Sequence, residues 1–461
     1  MYLYNQLTHR IQKFRASKKE VKFYSCGPTV YDYVHIGNLR YFVFVDLLKR
    51  TLLYHGYKVY HVMNITDVGH LVSDADTGED KIVVSARKKR KSAWEIARFY
   101  ENEFKKDLKK LNCIFPQKFP RATEYIKDQI EFIKILEKKG FTYRLEDGIY
   151  FDTSKIKDYK RLWGKEIKIL PGARVEMVPG KKNPTDFALW KFSPKDKKRE
   201  MEWPSPWGKG FPGWHTECVV MSSKILGVPL DIHTGGEDHI WIHHPNERAQ
   251  ALACFSKELS RFWVHCAFLR QKKQKMAKSK GNILTLKDIE KKGYHPLALR
   301  YLFLNTHYQK PLDFSFTALS FSQKTLFSLK EKISHLKEKT KRKKISKKAL
   351  MIKKEFKKII GQNLNSPQAL ALLHKVLEAN FLENYEKIFL ISDFDKVFGL
   401  NLLEKKEEKI PKKVLELVKK REKYRQEKKF EEADKIREKI KKMGYEIQDT
   451  KEGPVVKKRI L

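Results

Sequence analysis

Two stretches of this chain alternate between strand-like and helix-like patterns, separated by a long interval with a different rhythm. In the first, apolar runs at residues 21–25 and 57–65 flank helical apolar spacing at 38–54. The second stretch, residues 214–269, resumes the alternation. Strands that alternate with helices are typical of a parallel sheet with helices on its faces. We therefore predict an α/β fold with a Rossmann-like, doubly wound parallel sheet, split between two parts of the chain.

The remaining sequence predicts what surrounds this sheet. The interval 111–213 has short strands such as 148–152 and several Gly-Pro turns, which indicates an insertion. Lys-rich helical spacing follows from residue 314 to 400, and a helix at 412–443 precedes a strand at 445–450. In the second stretch we predict helices at 216–226 and 243–255 and strands at 229–233 and 261–269.

These patterns divide the chain into five predicted segments. They are the first half of the Rossmann-like sheet domain (1–115), a connective insertion (116–213), the second half (214–310), a helical bundle (311–402) and a small C-terminal domain (403–461). In such a sheet, ligands bind at the carboxyl ends of the strands near the point where the strand order reverses.

The charge balance favours a polyanionic partner. The chain has 461 residues with 97 Lys and Arg against 56 Asp and Glu, a formal charge of +41. Such a field attracts nucleic acid, although solvated lysines on every face would give the same count. Five unevenly spaced cysteines argue against a disulfide framework. No apolar run is long enough to span a membrane and no signal peptide pattern opens the chain, so we expect a cytoplasmic protein.

Two motifs suit phosphate binding. Gly37 and Asn38 lie where a loop enters a helix, so free backbone N–H groups would face a bound anion, and His35 can donate a hydrogen bond there. Much later, Lys275-Met-Ala-Lys278-Ser-Lys-Gly-Asn offers two ammonium groups three residues apart. A lone His-x-Gly or Lys-x-x-Lys pattern would mean little in a chain this rich in lysine.

A third group of residues suits a metal. His243 and Glu247 are four residues apart on a predicted helix and project from one face, and Cys218 lies near the start of another helix. Thiolate, imidazole and carboxylate together suit zinc, and His239 and His244 compete for the imidazole role. Taken alone, the same residues would fit a polar helix face and a buried cysteine.

The segments from Cys26 to Asn38 and from Lys275 onward resemble the HIGH and KMSKS elements of class I aminoacyl-tRNA synthetases. The surrounding sequence is similar to cysteinyl-tRNA synthetases along nearly the whole chain, including Trp214-His-Thr-Glu-Cys218, His243-His-Pro-Asn-Glu247 and stretches at 364–370, 394–400 and 433–440. The chain departs from the family pattern at Asn38, which replaces the second His of HIGH, at Ala277, which replaces the first Ser of KMSKS, and at 361–363.

The resemblance implies a role for each motif. One zinc ion per chain would be bound by Cys26, Cys218, His243 and Glu247. ATP with magnesium would contact His35, Gly37, Asn38, Lys275 and Lys278, of which His35 and Lys278 would be catalytic. Thr66, Trp214 and Asp238 would enclose the amino acid.

The function implied is ATP-dependent activation of L-cysteine and its transfer to the terminal ribose of tRNA(Cys) by a monomeric enzyme. Packing discriminates poorly between cysteine and serine, whereas zinc can bind the substrate sulfur as a thiolate, so no editing site is expected. Two alternatives remain. A ligase that joins cysteine to an amino sugar would share the catalytic core but lack the full anticodon-recognition domain that the resemblance assigns to 403–461. A non-catalytic zinc-containing RNA-binding relative would fit better had His35 or Lys278 been replaced.

Overall fold

The chain was analysed as a computed structural model, which describes residues 1–69, 80–164, 179–194, 199–271, 274–275, 283–337, 344–404, 411–450 and 453–458. The helices are α1 (Ile36–Tyr54), α2 (Lys81–Lys89), α3 (Ala93–Lys110), α4 (Ile126–Lys138), α5 (Trp214–Leu226), α6 (His243–Phe255), α7 (Leu286–Lys291), α8 (Pro296–Leu304), α9 (Phe316–Lys337), α10 (Lys347–Gly361), α11 (Ser366–Glu378), α12 (Asn384–Phe398), α13 (Lys412–Gln426) and α14 (Phe430–Lys442). Within the described ranges, none of these helices has the length and apolarity needed to cross a membrane.

Within the described ranges, the protein has five sheets, which are built from the following strands. They are β1 (Tyr2–Asn5), β2 (Arg10–Lys13), β3 (Glu20–Ser25), β4 (Lys58–Met63), β5 (Thr142–Leu145), β6 (Gly148–Phe151), β7 (Phe187–Phe192), β8 (Gly210–Pro212), β9 (Leu230–Gly236), β10 (Ser260–Cys266), β11 (Leu269–Gln271), β12 (Gln274–Lys275), β13 (Leu312–Asp313), β14 (Tyr445–Thr450) and β15 (Gly453–Lys458).

The central sheet has the order β10-β9-β3-β4, and every neighbouring pair is parallel. Two strands come from each half of the chain, which confirms the predicted split α/β sheet. The chain leaves β3 toward one edge and β9 toward the other, so the strand order reverses between these two strands. Cys26 follows β3 directly, and its N–H donates to the Thr234 carbonyl of β9 at 3.1 Å.

Between the two halves, the chain forms α2 to α4 and an antiparallel sheet of β5 to β8. After the second half, α9 to α12 form a helical region in which the rings of Phe356 and Phe394 stack with centroids 3.9 Å apart. The last helices, α13 and α14, share a separate small core with β14 and β15.

The single helix predicted at 412–443 is wrong, because two helices occupy that range. The chain turns at Lys428, which adopts a left-handed backbone with φ of 59°. The turn lets Val414 and Val418 of α13 pack with Ile436 and Ile440 of α14. One continuous helix would expose the apolar faces of both segments. The sequence does not indicate the break, because neither glycine nor proline occurs at the turn. The strand predicted at 261–269 also divides, into β10 and β11.

One partly buried carboxyl predicts a pH-dependent stability. Burial raises the pKa of Asp107 on α3 to about 7, and Glu103 and Glu290 act in the same direction. Between pH 4 and 7 the folded chain therefore binds the Asp107 proton more tightly than the unfolded chain does, and stability falls as pH rises through this window. We expect Asp107→Asn to stabilise the fold by about 1–2 kcal/mol at pH 8 and by less at pH 5.5.

Denaturation midpoints at the two pH values measure this effect. The matched control is Glu131→Gln, because Glu131 forms an exposed ion pair with Lys134 at 2.8 Å and should change little at either pH. An equal gain for Asp107→Asn at both pH values would contradict the prediction.

Candidate functional site

A cleft of about 620 Å³ opens at the carboxyl edge of the central sheet. Residues that directly follow each of the four strands line it, as do the start of α1 and residues of α5 and α6. The predicted site residues found in its lining are Cys26, His35, Gly37, Asn38, Thr66, Trp214, Cys218, Asp238 and His243. Lys278 lies outside the described residues, and Lys275 is described only by its backbone, paired with Arg270 in β11.

Four side chains meet at the base of the cleft. One ligand atom from each of Cys26, Cys218, His243 and Glu247 lies within 4.8 Å of the other three, and all four residues are buried. His243 Nε2 is 3.0 Å from Glu247 Oε1, and Cys26 Sγ is 3.9 Å from the same oxygen. Ligand atoms around one tetrahedral zinc ion are about 3.3–3.8 Å apart. The donor types and spacings therefore fit zinc after small adjustments.

A second set overlaps the first. Cys26 and Glu247 also lie within 4.8 Å of His233 and His244, so the described residues offer two arrangements with two shared ligands. Cys218 and His243 line the cleft, whereas His233 and His244 do not. A metal that acts on a substrate needs an open coordination position. The arrangement with Cys218 and His243 therefore suits substrate binding, and the other suits at most a closed site.

Two histidines that sequence reasoning missed hold these ligands in place. Burial keeps the pKa of His215 well below its usual value, so His215 is neutral, and its Nδ1 lies 2.9 Å from His243 Nδ1. When the neutral His243 ring donates this hydrogen bond, its Nε2 carries no hydrogen and can bind a metal, which would displace the proton that the ring otherwise holds beside Glu247. His233 Nε2 lies 2.7 Å from Glu247 Oε2 and orients the carboxylate in the same way.

His215 and His233 carry little signal in the sequence. From sequence, a histidine inside an apolar strand such as β9 is interpreted as a core residue. His233 does stack on the buried Trp263 ring, with centroids 4.7 Å apart. The only hint is position, since His215 lies in the same segment as Cys218 and His233 lies ten residues before His243.

The protonation states of the side chains in the cluster depend on how closely these ionisable groups pack against one another. A hydrogen bond from the Cys26 thiol lowers the pKa of Cys218 to about 6, while burial raises the pKa of Cys26 well above its usual value. Burial disfavours a charged His243, but the Glu247 carboxylate outweighs it and raises the pKa of His243 to about 10. The site thus already holds a thiolate and a carboxylate, the anionic ligands that a divalent cation needs.

At the other end of the cleft, His35 caps α1. Its Nδ1 accepts the Asn38 N–H at 3.2 Å, and the Asn38 side-chain oxygen accepts the His35 N–H at 3.2 Å. The helix therefore begins two residues before the predicted Asn38. Because Nδ1 is an acceptor, the neutral His35 ring carries its hydrogen on Nε2. A Cβ at Gly37 would approach the His35 ring to 2.8 Å, which explains the glycine.

The wall between these two ends carries the three residues predicted for the amino acid. The Trp214 ring stacks on His243 with centroids 4.2 Å apart, and Asp238 lies in the short turn after β9. Thr66 Oγ1 accepts a hydrogen bond from Asn64 Nδ2 at 3.1 Å, and Asn64 also accepts the Gly27 N–H at 2.8 Å. Asn64, which sequence reasoning missed, thus ties the Thr66 wall to the Cys26 loop.

Comparison with known proteins shows the family of the chain. The family model of the class I (C) tRNA synthetase catalytic domain matches residues 12–324. The chain is 42% identical to a cysteine–tRNA ligase of Zymomonas mobilis subsp. mobilis, covering 97% of this chain and 95% of that protein. It is also 42% identical to cysteine–tRNA ligase 1 of Burkholderia lata, with 98% and 95% covered. In fold, it is similar to the Mycobacterium tuberculosis methionyl-tRNA synthetase in complex with methionyl-adenylate, with a TM-score of 0.57, 14% identity, and 83% and 89% covered. The chain therefore belongs to the cysteine–tRNA ligase family, whose catalytic domain is of the class I tRNA synthetase type.

Proposed function

We propose that this protein, a cysteine–tRNA ligase, recognises cysteine through one zinc ion held by Cys26, Cys218, His243 and Glu247. The observation that carries the proposal is the buried cluster of two thiols, an imidazole and a carboxylate at the base of the cleft. When bound, zinc would supply a soft Lewis acid that takes a substrate thiolate in preference to a serine hydroxyl.

The neighbouring side chains would position the rest of the amino acid. Trp214 covers one face of His243, so a side chain that reaches the cluster contacts an aromatic wall. The Thr66 hydroxyl is held by Asn64, and Asp238, which lines the cleft, would pair with the substrate ammonium group. Nothing in this pocket needs to act as a covalent nucleophile.

ATP would lie toward the start of α1, with magnesium on its phosphates. His35 can donate from Nε2, and the positive end of the helix dipole at Gly37 and Asn38 favours the triphosphate. Lys275 and Lys278 would stabilise the charge that builds as the cysteine carboxylate attacks the α-phosphate and pyrophosphate leaves. His35 and Lys278 are the residues proposed to be catalytic.

The second step would transfer cysteine from the adenylate to the 3′-terminal ribose of tRNA(Cys). An amino-sugar acceptor is disfavoured because the match to cysteine–tRNA ligases continues through the helical region and the C-terminal domain. We propose a monomeric, cytoplasmic enzyme with functional segments at 1–115, 116–213, 214–310, 311–402 and 403–461.

Two assays on the purified protein test the proposal. Cysteine-dependent exchange of pyrophosphate into ATP reports the first step, and charging of a tRNA(Cys) transcript reports the second. We expect both activities, with cysteine strongly preferred over serine, and one zinc per chain by elemental analysis. Absence of exchange would refute the activation step, while exchange without charging, together with ligation of cysteine to an amino sugar, would refute the tRNA acceptor.

A further inference from the structure

A strongly cationic segment lies beside the cleft, outside the site described above. Arg87, Lys88, Lys89, Arg90 and Lys91 follow one another from the last turn of α2 to the start of α3, and all five are exposed. The Lys91 N–H donates to the Ala86 carbonyl at 3.1 Å, and Arg90 closes the helix with a left-handed backbone. The backbone of this segment is thus fixed while its side chains face solvent. Adjacent like charges repel one another, so a polyanion would stabilise them.

Aromatic rings connect this segment with the cleft. The Lys89 ammonium is 4.3 Å from the Tyr100 ring centroid, and the Lys91 ammonium is 5.6 Å from that of Phe99. Both rings contact Tyr33 edge to face, with centroids 5.1 and 6.1 Å away, and Tyr33 lines the cleft. Phe99 is 41% exposed, whereas Tyr100 is 2% exposed and supports Lys89 and Tyr33 from within the core. A continuous path of rings and ammonium groups therefore runs from the interior of the cleft to the surface.

Three acidic side chains of α3 have partners within the protein. Glu95 caps the helix with Ser92, and its carboxylate accepts the Ser92 N–H at 2.8 Å. Glu101 pairs with Arg121 at 2.7 Å, and Glu103 pairs with Lys106 at 2.6 Å. Arg121 and Lys106 thus compensate two of these three charges, while Glu95 interacts with Lys91 and offsets one charge of the segment. The segment still keeps an excess of positive charge.

We propose that residues 87–91 with Tyr33 and Phe99, supported by the buried ring of Tyr100, form a 3′-end strip, which binds the single-stranded 3′ end of tRNA and directs its terminal ribose into the cleft. Cationic side chains next to aromatic faces are how proteins bind single-stranded nucleic acid without reading its sequence: lysines contact phosphates and rings stack on bases. A duplex would need the lysines but not the rings. The proposal rests on the proposed function, since only a tRNA acceptor brings such an end to the cleft.

The test compares two RNA hairpins that mimic the acceptor stem, one with a four-nucleotide single-stranded 3′ end and one blunt. We expect the full-length protein to bind the first more tightly, and Phe99→Ala to weaken that binding by at least about fivefold while leaving the blunt hairpin unchanged. Lys89→Ala with Lys91→Ala should lower the slope of log affinity against log salt by about 1.4 for the hairpin with the 3′ end.

Matched controls separate this strip from general electrostatics and from folding. Lys134→Ala with Lys138→Ala removes two exposed lysines of α4, and Phe381→Ala removes a phenylalanine that is 62% exposed and has Lys348 over its ring. Neither should change the preference for the single-stranded end. Cysteine-dependent pyrophosphate exchange should be unchanged in every variant, and its absence from the wild type would count against the proposed function rather than the strip. Equal binding of both hairpins by the wild type, or equal weakening of both by Phe99→Ala, would overturn the strip.

Discussion

Replacement of Cys218 with serine is expected to remove bound zinc and to lower the efficiency of cysteine activation at least about a thousandfold. Cys218 lies in the first turns of α5 with its sulfur in the buried cluster, and hydrogen bonding from Cys26 lowers its pKa to about 6. It is therefore the thiolate most ready to bind a metal at neutral pH. A serine hydroxyl is harder to deprotonate and is a poor ligand for a soft cation.

The Cys218→Ser variant should lose discrimination between cysteine and serine as well as the rate of cysteine activation. Without the metal, a cysteine thiol and a serine hydroxyl differ by little that packing can detect. The measurements are zinc per chain by elemental analysis and pyrophosphate exchange with cysteine and with serine. We expect less than about one tenth of a zinc per chain in the variant, since a structural or catalytic zinc site rarely survives the loss of one of its ligands.

Two further variants make the result specific. Cys254→Ser is the matched control, because Cys254 is buried on α6 away from the cluster and should keep both zinc and activity. His215→Ala should fall in between, with zinc affinity reduced about 10–100-fold, since His215 only orients His243. If Cys218→Ser retained one zinc per chain and its preference for cysteine, the proposed site would be wrong.

The parts of the fold that could be predicted are those with a short local period. The bounds of α6 and the presence of the central strands, though not all of their bounds, follow from apolar runs and helical spacing. The turn at Lys428 could not be predicted, because it depends on the packing of α13 against α14 rather than on a local breaker.

The candidate site, like the fold, has parts that could be predicted from the sequence and parts that could not. His243 and Glu247 could be paired from their spacing on one helix, but Cys26 lies more than two hundred residues away and was joined to them only through resemblance to a family. His215, His233 and Asn64 were missed because their roles depend on which ring or amide atom faces a neighbour. Sequence spacing does not encode that orientation.

A second large effect is expected far from the cleft, at Asp46 on α1. This carboxylate is 2% exposed and accepts hydrogen bonds from Arg50 Nε at 2.7 Å, from Arg300 of α8 at 2.5 Å and from the Ile114 N–H at 2.7 Å. Both guanidinium groups also bind backbone carbonyls near the end of α12 and at residues 111–112. The two cations that join α1, the start of the insertion and the helical region thus share the single Asp46 carboxylate.

Removal of one partner from a buried ion pair leaves an uncompensated charge, which costs more than the pair contributed. We expect Asp46→Ala to destabilise the protein by about 3–5 kcal/mol, seen as a large fall in the urea midpoint. Glu124→Ala is the matched control, because its ion pair with Arg121 is about half exposed on the Glu124 side and should contribute less than about 1 kcal/mol. An equal, small effect of both substitutions would contradict this prediction. It would mean that solvent reaches Arg50 and Arg300 once Asp46 is removed. The helical region would then be joined to α1 by apolar packing rather than by this charge network.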